Sequence, residues 1–222
     1  MNGLLSSPTL RAGAAMAAYA AAHSALASAA AKGAAARLLG ERARDVAYRP
    51  FYLAQSVATT AALVRTVNRL PERTLVVYPR PLALAFRGAH VAATAFGVWA
   101  LVASGVGRVS GIDAVVGAAT GGAVGPTPPA HGPYEGGARA GGLRVAGPFR
   151  RTRHPLNVAF LPMLWSAERL TTRRLGAALV GTAYVFLGSA LEERRNRAAY
   201  GTAYEGYRRR VPFFWPRVRP AR

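Results

Sequence analysis

The chain has 222 residues, enough for one sizeable domain; 51% are hydrophobic, yet the formal net charge is +20. It contains no cysteine, which excludes disulfides, thiolate metal sites and a catalytic thiol. Such basicity would fit nucleic acid on soluble elements, but here the charge falls between long apolar runs, which argues for a lipid bilayer and against nucleic acid as the partner.

Residues 12–31, AGAAMAAYAAAHSALASAAA, form a run about long enough to cross a bilayer. The run lacks a clear signal-peptide cleavage pattern and further apolar runs follow it, so it is read as retained. His23 and Ser24 lie inside it. Polar residues at membrane depth are functional candidates, and a histidine satisfied by a neighbouring helix is the plain alternative. A second run covers residues 51–67 with Arg65 near its end, and a third covers 82–105 with Arg87 close to one end. Residues 105–142 are rich in Gly and Pro and poor in periodicity, so they read as a loop, either a linker or a lid. A fourth run, 158–167, is short and contains Pro162; a fifth covers 175–191. The connection ERLTTRR, 168–174, is short enough for a helical hairpin. Gly176, Gly181 and Gly188 allow close helix packing in the fifth run.

These runs predict an all-α polytopic integral membrane protein of about five transmembrane helices, with a C-terminal helical hairpin and an amphipathic tail. Three parts follow: N-terminal membrane helices over 1–105, a Gly/Pro-rich loop over 106–146, and a core over 147–216. Charge sets the orientation. Segments 32–50, 106–157 and 192–222 carry net charges of +3, +4 and +6. Arg11 and segments 69–81 and 168–174 carry +1, +2 and +2 on the other side. The positive-inside rule then puts the C-terminus in the cytoplasm, and a bacterial inner membrane is the expected location.

Two polar stretches concentrate the chemistry. In GPFRRTRHPLNVAF, 147–160, Gly147-Pro148 marks a turn. Pro155 biases His154 away from helix and suits the first helical turn itself. Arg153 and His154 then stand at a helix N-terminus, where backbone N–H groups and an arginine fork favour an anion. Arginines snorkelling to lipid phosphates are the competing reading, one that suits Arg150 and Arg151 best. In LEERRNRAAYGTAYEGYRRRVPFFWP, 191–216, two carboxylates follow the last apolar run. Glu193 and Arg197 have the spacing of a surface ion pair, which leaves Glu192 the freer carboxylate. Tyr200, Tyr204 and Tyr207 recur at helical spacing, as an interfacial anchor or a ligand-covering wall. Pro212 and Pro216 end the helix, and Phe213, Phe214 and Trp215 can re-enter the interface.

In this order the stretches resemble the membrane methyltransferase superfamily that includes isoprenylcysteine carboxyl methyltransferases and phospholipid methyltransferases. The shared pattern is a GP-aromatic turn, RHP, a hairpin, a Glu-Glu pair and a G-x-x-Y-x-x-Y tail. HSALASAAAK and SGIDAVVG are similar to the branch of NnrU-like proteins and methanethiol S-methyltransferases. Three positions depart from the pattern: Phe149 stands for the usual Tyr, Asn157 for the Tyr after RHP-x, and Ala159 for the Gly two positions further on. The resemblance implies S-adenosylmethionine as cofactor, held by Arg153, His154, Pro155, Asn157, Glu192, Glu193, Tyr204 and Tyr207. It implies no metal and assigns no catalytic residue. In that reading Arg153 and His154 suit the cofactor carboxylate, a glutamate its ammonium and the tail tyrosines its adenine. The implied reaction is methyl transfer to a hydrophobic or small thiol, a carboxylate or a lipid amine, in a water-poor pocket. The alternatives are a non-enzymatic NnrU-like accessory or transport component, and an NADPH-dependent reductase of the same fold family.

Overall fold

The computed structural model describes residues 7–122, 124 and 145–218. Helix α1 (Pro8–Ala27) starts where the Ser7 hydroxyl accepts from the Leu10 N–H and Pro8 occupies the first turn. The first apolar run does not continue unbroken to residue 31. Ser28 adopts an extended backbone, and its hydroxyl accepts from the Ala31 N–H to cap α2 (Ala29–Leu39). Gly40, at φ 84°, links α2 to α3 (Glu41–Arg69), which begins well before the expected Phe51 and carries Pro50 in its interior. Strand β1 (Thr74–Val77) leads into α4 (Arg80–Ser104), close to the expected third run.

Irregular chain does not begin at residue 105. Gly105 and Gly111, at φ 83° and 82°, instead separate two short helices, α5 (Val106–Ser110) and α6 (Ile112–Ala119). The apolar stretch IDAVVGAA is enough to continue helix once a glycine has turned the chain. Residues 125–144, which hold about half of the expected linker or lid, lie outside the described residues. A 3₁₀ turn at Gly147–Arg150 precedes α7 (Pro155–Trp165), strand β2 (Arg169–Thr171) and α8 (Thr172–Arg210).

The fold is all-α apart from β1 and β2, which pair antiparallel with Val76 opposite Leu170. This ribbon ties the α3–α4 link to the α7–α8 link at one end of the molecule. The RHP turn and the C-terminal tail occupy the other.

The long helices pack where small residues face each other. A Cβ on Gly176 of α8 would lie 1.9 Å from the Thr9 carbonyl oxygen of α1, so the two backbones meet there. Gly97 of α4 faces Ala159 of α7, and Gly181 faces Leu164 of α7. A Cβ on Gly188 would meet nothing nearer than 3.8 Å, so the third glycine serves no tight crossing.

Two described helices, α4 and α8, are long and apolar enough to cross a membrane, and only 11% of the apolar stretch of α4 is buried inside the protein. Leu84, Val91, Val98 and Val102 along α4 are all more than half exposed. An apolar surface of that extent on one long helix suits lipid rather than water. Helix α7, with 11 residues, is about 16 Å long and does not by itself reach across a core of about 30 Å. Arg174 caps its free end, donating from Nη2 to the carbonyls of Met163 (3.1 Å) and Ser166 (2.7 Å).

Gly201 decides the shape of the tail. Its φ 52° and ψ −127° kink α8, and the chain beyond folds back on the RHP turn. Tyr204 and Tyr207, 0% and 1% exposed, therefore form a buried cluster with Val211 rather than an interfacial stripe. The helix ends at Arg210, ahead of Pro212 as expected. Of the three aromatics that follow, Trp215 stays exposed, Phe214 stacks on Phe186 and Phe213 packs against His154.

Candidate active site

Pro155 opens α7 and His154 is its N-cap residue, at φ −125° and ψ 60°, as the His-Pro pair implies. The turn before it is strapped to the tail. Arg153 N–H donates to the Pro212 carbonyl at 3.0 Å, and the Thr152 hydroxyl to that of Phe213 at 3.3 Å. Arg151 joins the same strap rather than standing free for lipid phosphate. Its carbonyl accepts from the Arg217 N–H at 3.0 Å, and its guanidinium lies 6.0 Å above the Trp99 ring.

Glu193 is the hub of this end. Its Oε1 accepts from Tyr204 Oη (2.6 Å) and Arg153 Nε (2.9 Å) and lies 3.0 Å from His154 Nε2; its Oε2 accepts from Arg208 Nε at 2.9 Å. The expected Glu193–Arg197 surface pair does not form. Glu193 turns inward, where the kink at Gly201 returns Tyr204 and Arg208 to it, and Arg197 pairs with Glu205 at 3.1 Å instead.

His154 Nδ1 lies 3.2 Å from Glu192 Oε2, so both ring nitrogens face carboxylates, the arrangement that suits an imidazolium. Burial alone would lower the His154 pKa. The Glu192 charge and the bonds to Glu192 and Glu193 outweigh it, and the net shift is upward. Arg153 spends Nε on Glu193 and Nη1 on the carbonyls of Arg208 (3.1 Å) and Val211 (2.9 Å). Its Nη2 takes part in no such bond among the described residues. Asn157, unexplained as a polar residue entering the apolar run, donates from Nδ2 to Ser189 Oγ of α8 at 2.8 Å.

A cavity of about 430 Å³ opens between α1, α3, α7 and α8. Arg153, His154, Glu192 and Arg195 line its charged end. Tyr19, His23, Tyr52 and Tyr184 also line it, together with aliphatic and aromatic side chains such as Leu156, Phe160 and Leu164. Of the residues singled out in the sequence, Arg153, His154, Pro155, Asn157 and Glu192 face this space. Glu193, Tyr204 and Tyr207 stand behind that wall, where they hold it; Tyr207 Oη donates to the Phe149 carbonyl at 2.8 Å.

Sequence reasoning missed Arg195. Its Nε is buried with no hydrogen-bond partner among the described residues, on the cavity wall beside Glu192. Its spacing of three from Glu192 and seven from Gly188 was the available signal, since all three share one helical face. Tyr52 and Tyr184 were missed as well. They meet His23 and Ser24 only through tertiary packing, at Tyr52 Oη–His23 Nε2 2.7 Å and Ser24 Oγ–Tyr184 Oη 3.1 Å. The site is thus an apolar cavity with a cationic and a carboxylate group at one end, in a helical scaffold with an exposed apolar surface along α4. It suits a ligand that carries both a carboxylate and an amine.

Curated relatives of known activity share part of the chain. It is 40% identical over 70 residues to methanethiol S-methyltransferase 2 of Bradyrhizobium diazoefficiens, a match covering 32% of this chain and 27% of that protein. It is 30% identical over 79 residues to methanethiol S-methyltransferase of Pseudomonas deceptionensis (36% and 30%). It is 34% identical over 68 residues to that of Mycobacterium tuberculosis (31% and 28%). The matches thus span roughly a third or less of each of these relatives' length. No family model and no solved structure matches the chain. The similarity supports the resemblance read from the motifs, to the methanethiol S-methyltransferase-like branch of the isoprenylcysteine carboxyl methyltransferase superfamily.

Proposed function

We propose that this chain is a membrane methyltransferase that uses S-adenosylmethionine to methylate a small thiol of the methanethiol kind. The observation that carries the reading is the cavity, which joins an end bearing Arg153, Arg195 and Glu192 to apolar walls. Arg195 has a buried Nε there with no partner among the described residues, as an unfilled anion site would. Arg195 and Arg153 Nη2 would hold the cofactor carboxylate, Glu192 its ammonium, and the apolar wall its adenine. When bound, the cofactor supplies an electrophilic methyl group on a sulfonium. The protein's part is to orient the two reactants and keep water out. Thiolate and sulfonium lose charge as they react, so a dry pocket favours the step.

The topology proposed with this function has five crossings, with extended residues beyond Trp165 completing the short fourth. The C-terminus lies in the cytoplasm of a bacterial inner membrane, and the bilayer rather than nucleic acid is the partner. Calorimetric titration of the purified chain with S-adenosylmethionine, followed by labelled-methyl transfer to methanethiol, an isoprenoid acid and a lipid amine, tests the reading. Binding with transfer to the thiol is the expected result. Absence of binding would favour a non-enzymatic accessory protein.

A further inference from the structure

We propose that the part of the cavity around Tyr52 and His23 is the acceptor subsite, and that these two side chains form a relay there that takes the proton from a thiol acceptor. The proposal rests on the thiol methyltransferase reading above. Tyr52 Oη lies 2.7 Å from His23 Nε2, and His23 Nδ1 lies 3.4 Å from Ser56 Oγ. Ser56 Oγ donates to the Tyr52 carbonyl at 2.7 Å, so it can only accept from the ring. With the ring hydrogen on Nδ1, the Tyr52 hydroxyl donates to the Nε2 lone pair at 2.7 Å in preference to the His23 carbonyl, its other acceptor, at 3.3 Å. Ser24 Oγ donates to Tyr184 Oη at 3.1 Å, which leaves the Tyr184 hydroxyl hydrogen for a ligand.

Tyr52, His23 and Tyr184 all line the cavity, among its apolar side chains. A base beside a spare O–H donor suits a neutral acid whose anion loses its hydration readily, and a thiol has that chemistry. A carboxylate acceptor is already ionised and needs no base. In the step, the thiol S–H proton passes to Tyr52 Oη as the Tyr52 proton passes to His23 Nε2. The acceptor sulfur forms the new bond to the methyl carbon. The sulfonium carbon–sulfur bond breaks with its electron pair returning to the donor sulfur. A thioether, a neutral demethylated donor and one proton on His23 result.

The competing role is a clamp between α1 and α3, with the His23 ring 5.1 Å from that of Tyr52. Thiol acidity separates the two roles. The full-length chain and its Tyr52→Phe and His23→Gln variants are assayed in one detergent with methanethiol, and with thiophenol, which is ionised in solution. S-Adenosylmethionine affinity is measured alongside by calorimetry. With methanethiol, turnover should fall about 10²–10⁴-fold in both variants, and the loss should shrink as pH rises. With thiophenol the loss should stay under about tenfold, and cofactor affinity should change less than about twofold. Equal losses on the two thiols, a loss independent of pH, or a parallel loss of cofactor affinity in Tyr52→Phe would make the pair a clamp and overturn the proposal. Failure of the wild-type chain to bind S-adenosylmethionine would instead overturn the methyltransferase reading itself.

Discussion

Two adjacent glutamates do different work at this site. Glu193 is 7% exposed and accepts from Arg153, Tyr204 and Arg208, so Glu193→Gln breaks a buried charge network. Loss of one partner in such a network costs about 3–5 kcal/mol, and thermal unfolding in a fixed detergent should report it as a large drop in Tm. Glu192 borders the cavity and touches only His154 among the described residues, so Glu192→Gln should keep the fold. It should weaken S-adenosylmethionine binding about ten- to hundredfold by titration, the worth of one charge-assisted contact of about 1.5–3 kcal/mol. His154 adds a pH dependence. Its folded-state pKa lies above the ordinary value of about 6.5, so its bonds to the two glutamates stabilise fully below that value. The contribution is lost as pH rises through the raised folded-state value. Melting temperature should therefore fall as pH rises above about 6.5, and His154→Gln should flatten that slope.

Helix contacts depend on two glycines for different reasons. At Gly176 the constraint is space, because an added Cβ would meet the Thr9 carbonyl oxygen of α1 at 1.9 Å. Gly176→Ala should force α1 and α8 apart, at a cost of about 1–3 kcal/mol in denaturation measurements. At Gly201 the constraint is conformation: no atom lies within 4 Å of an added Cβ, but φ 52° with ψ −127° excludes other residues. Gly201→Ala should cost about 1–3 kcal/mol and loosen the return of Tyr204 and Arg208 to Glu193. Faster proteolysis of the tail, with α1–α8 packing intact, would distinguish it from the Gly176 variant. The sequence marked Gly176 for close packing and placed Gly201 in the G-x-x-Y-x-x-Y tail, but neither the crossing partner nor the backbone angle is local information.

Charge and apolar length govern how the whole molecule sits in a bilayer. The α3–α4 and α7–α8 links are joined by the β1–β2 ribbon, so segments 69–81 and 168–174 share one end, as the charge argument required. Those links carry the smaller positive charge, and the end with the RHP turn and the tail carries the larger. A reporter fused after Arg222 should accordingly be active in the cytoplasm. Activity only on the outer side would reverse the topology and remove the proposed site from cellular S-adenosylmethionine.

The sequence by itself determined the helical class, the near limits of α4, the start of α7 at the His154-Pro155 pair and the end of α8 before Pro212. These rest on apolar runs and proline geometry, which act within a few residues of each other. It also marked Arg153, His154, Asn157 and Glu192, because charged and amide groups at the edge of apolar runs need partners. Tertiary structure alone decided what those partners are. Tyr204 and Tyr207 face inward because the chain turns at Gly201. Glu193 is a structural hub, because Arg153 and Arg208 reach it from distant parts of the chain. Arg195 and Tyr52 come to one cavity because α3 and α8 both pack against α1. Helical periodicity tells which residues share a face, but the neighbour that a face meets is set by packing, and packing is not a local property.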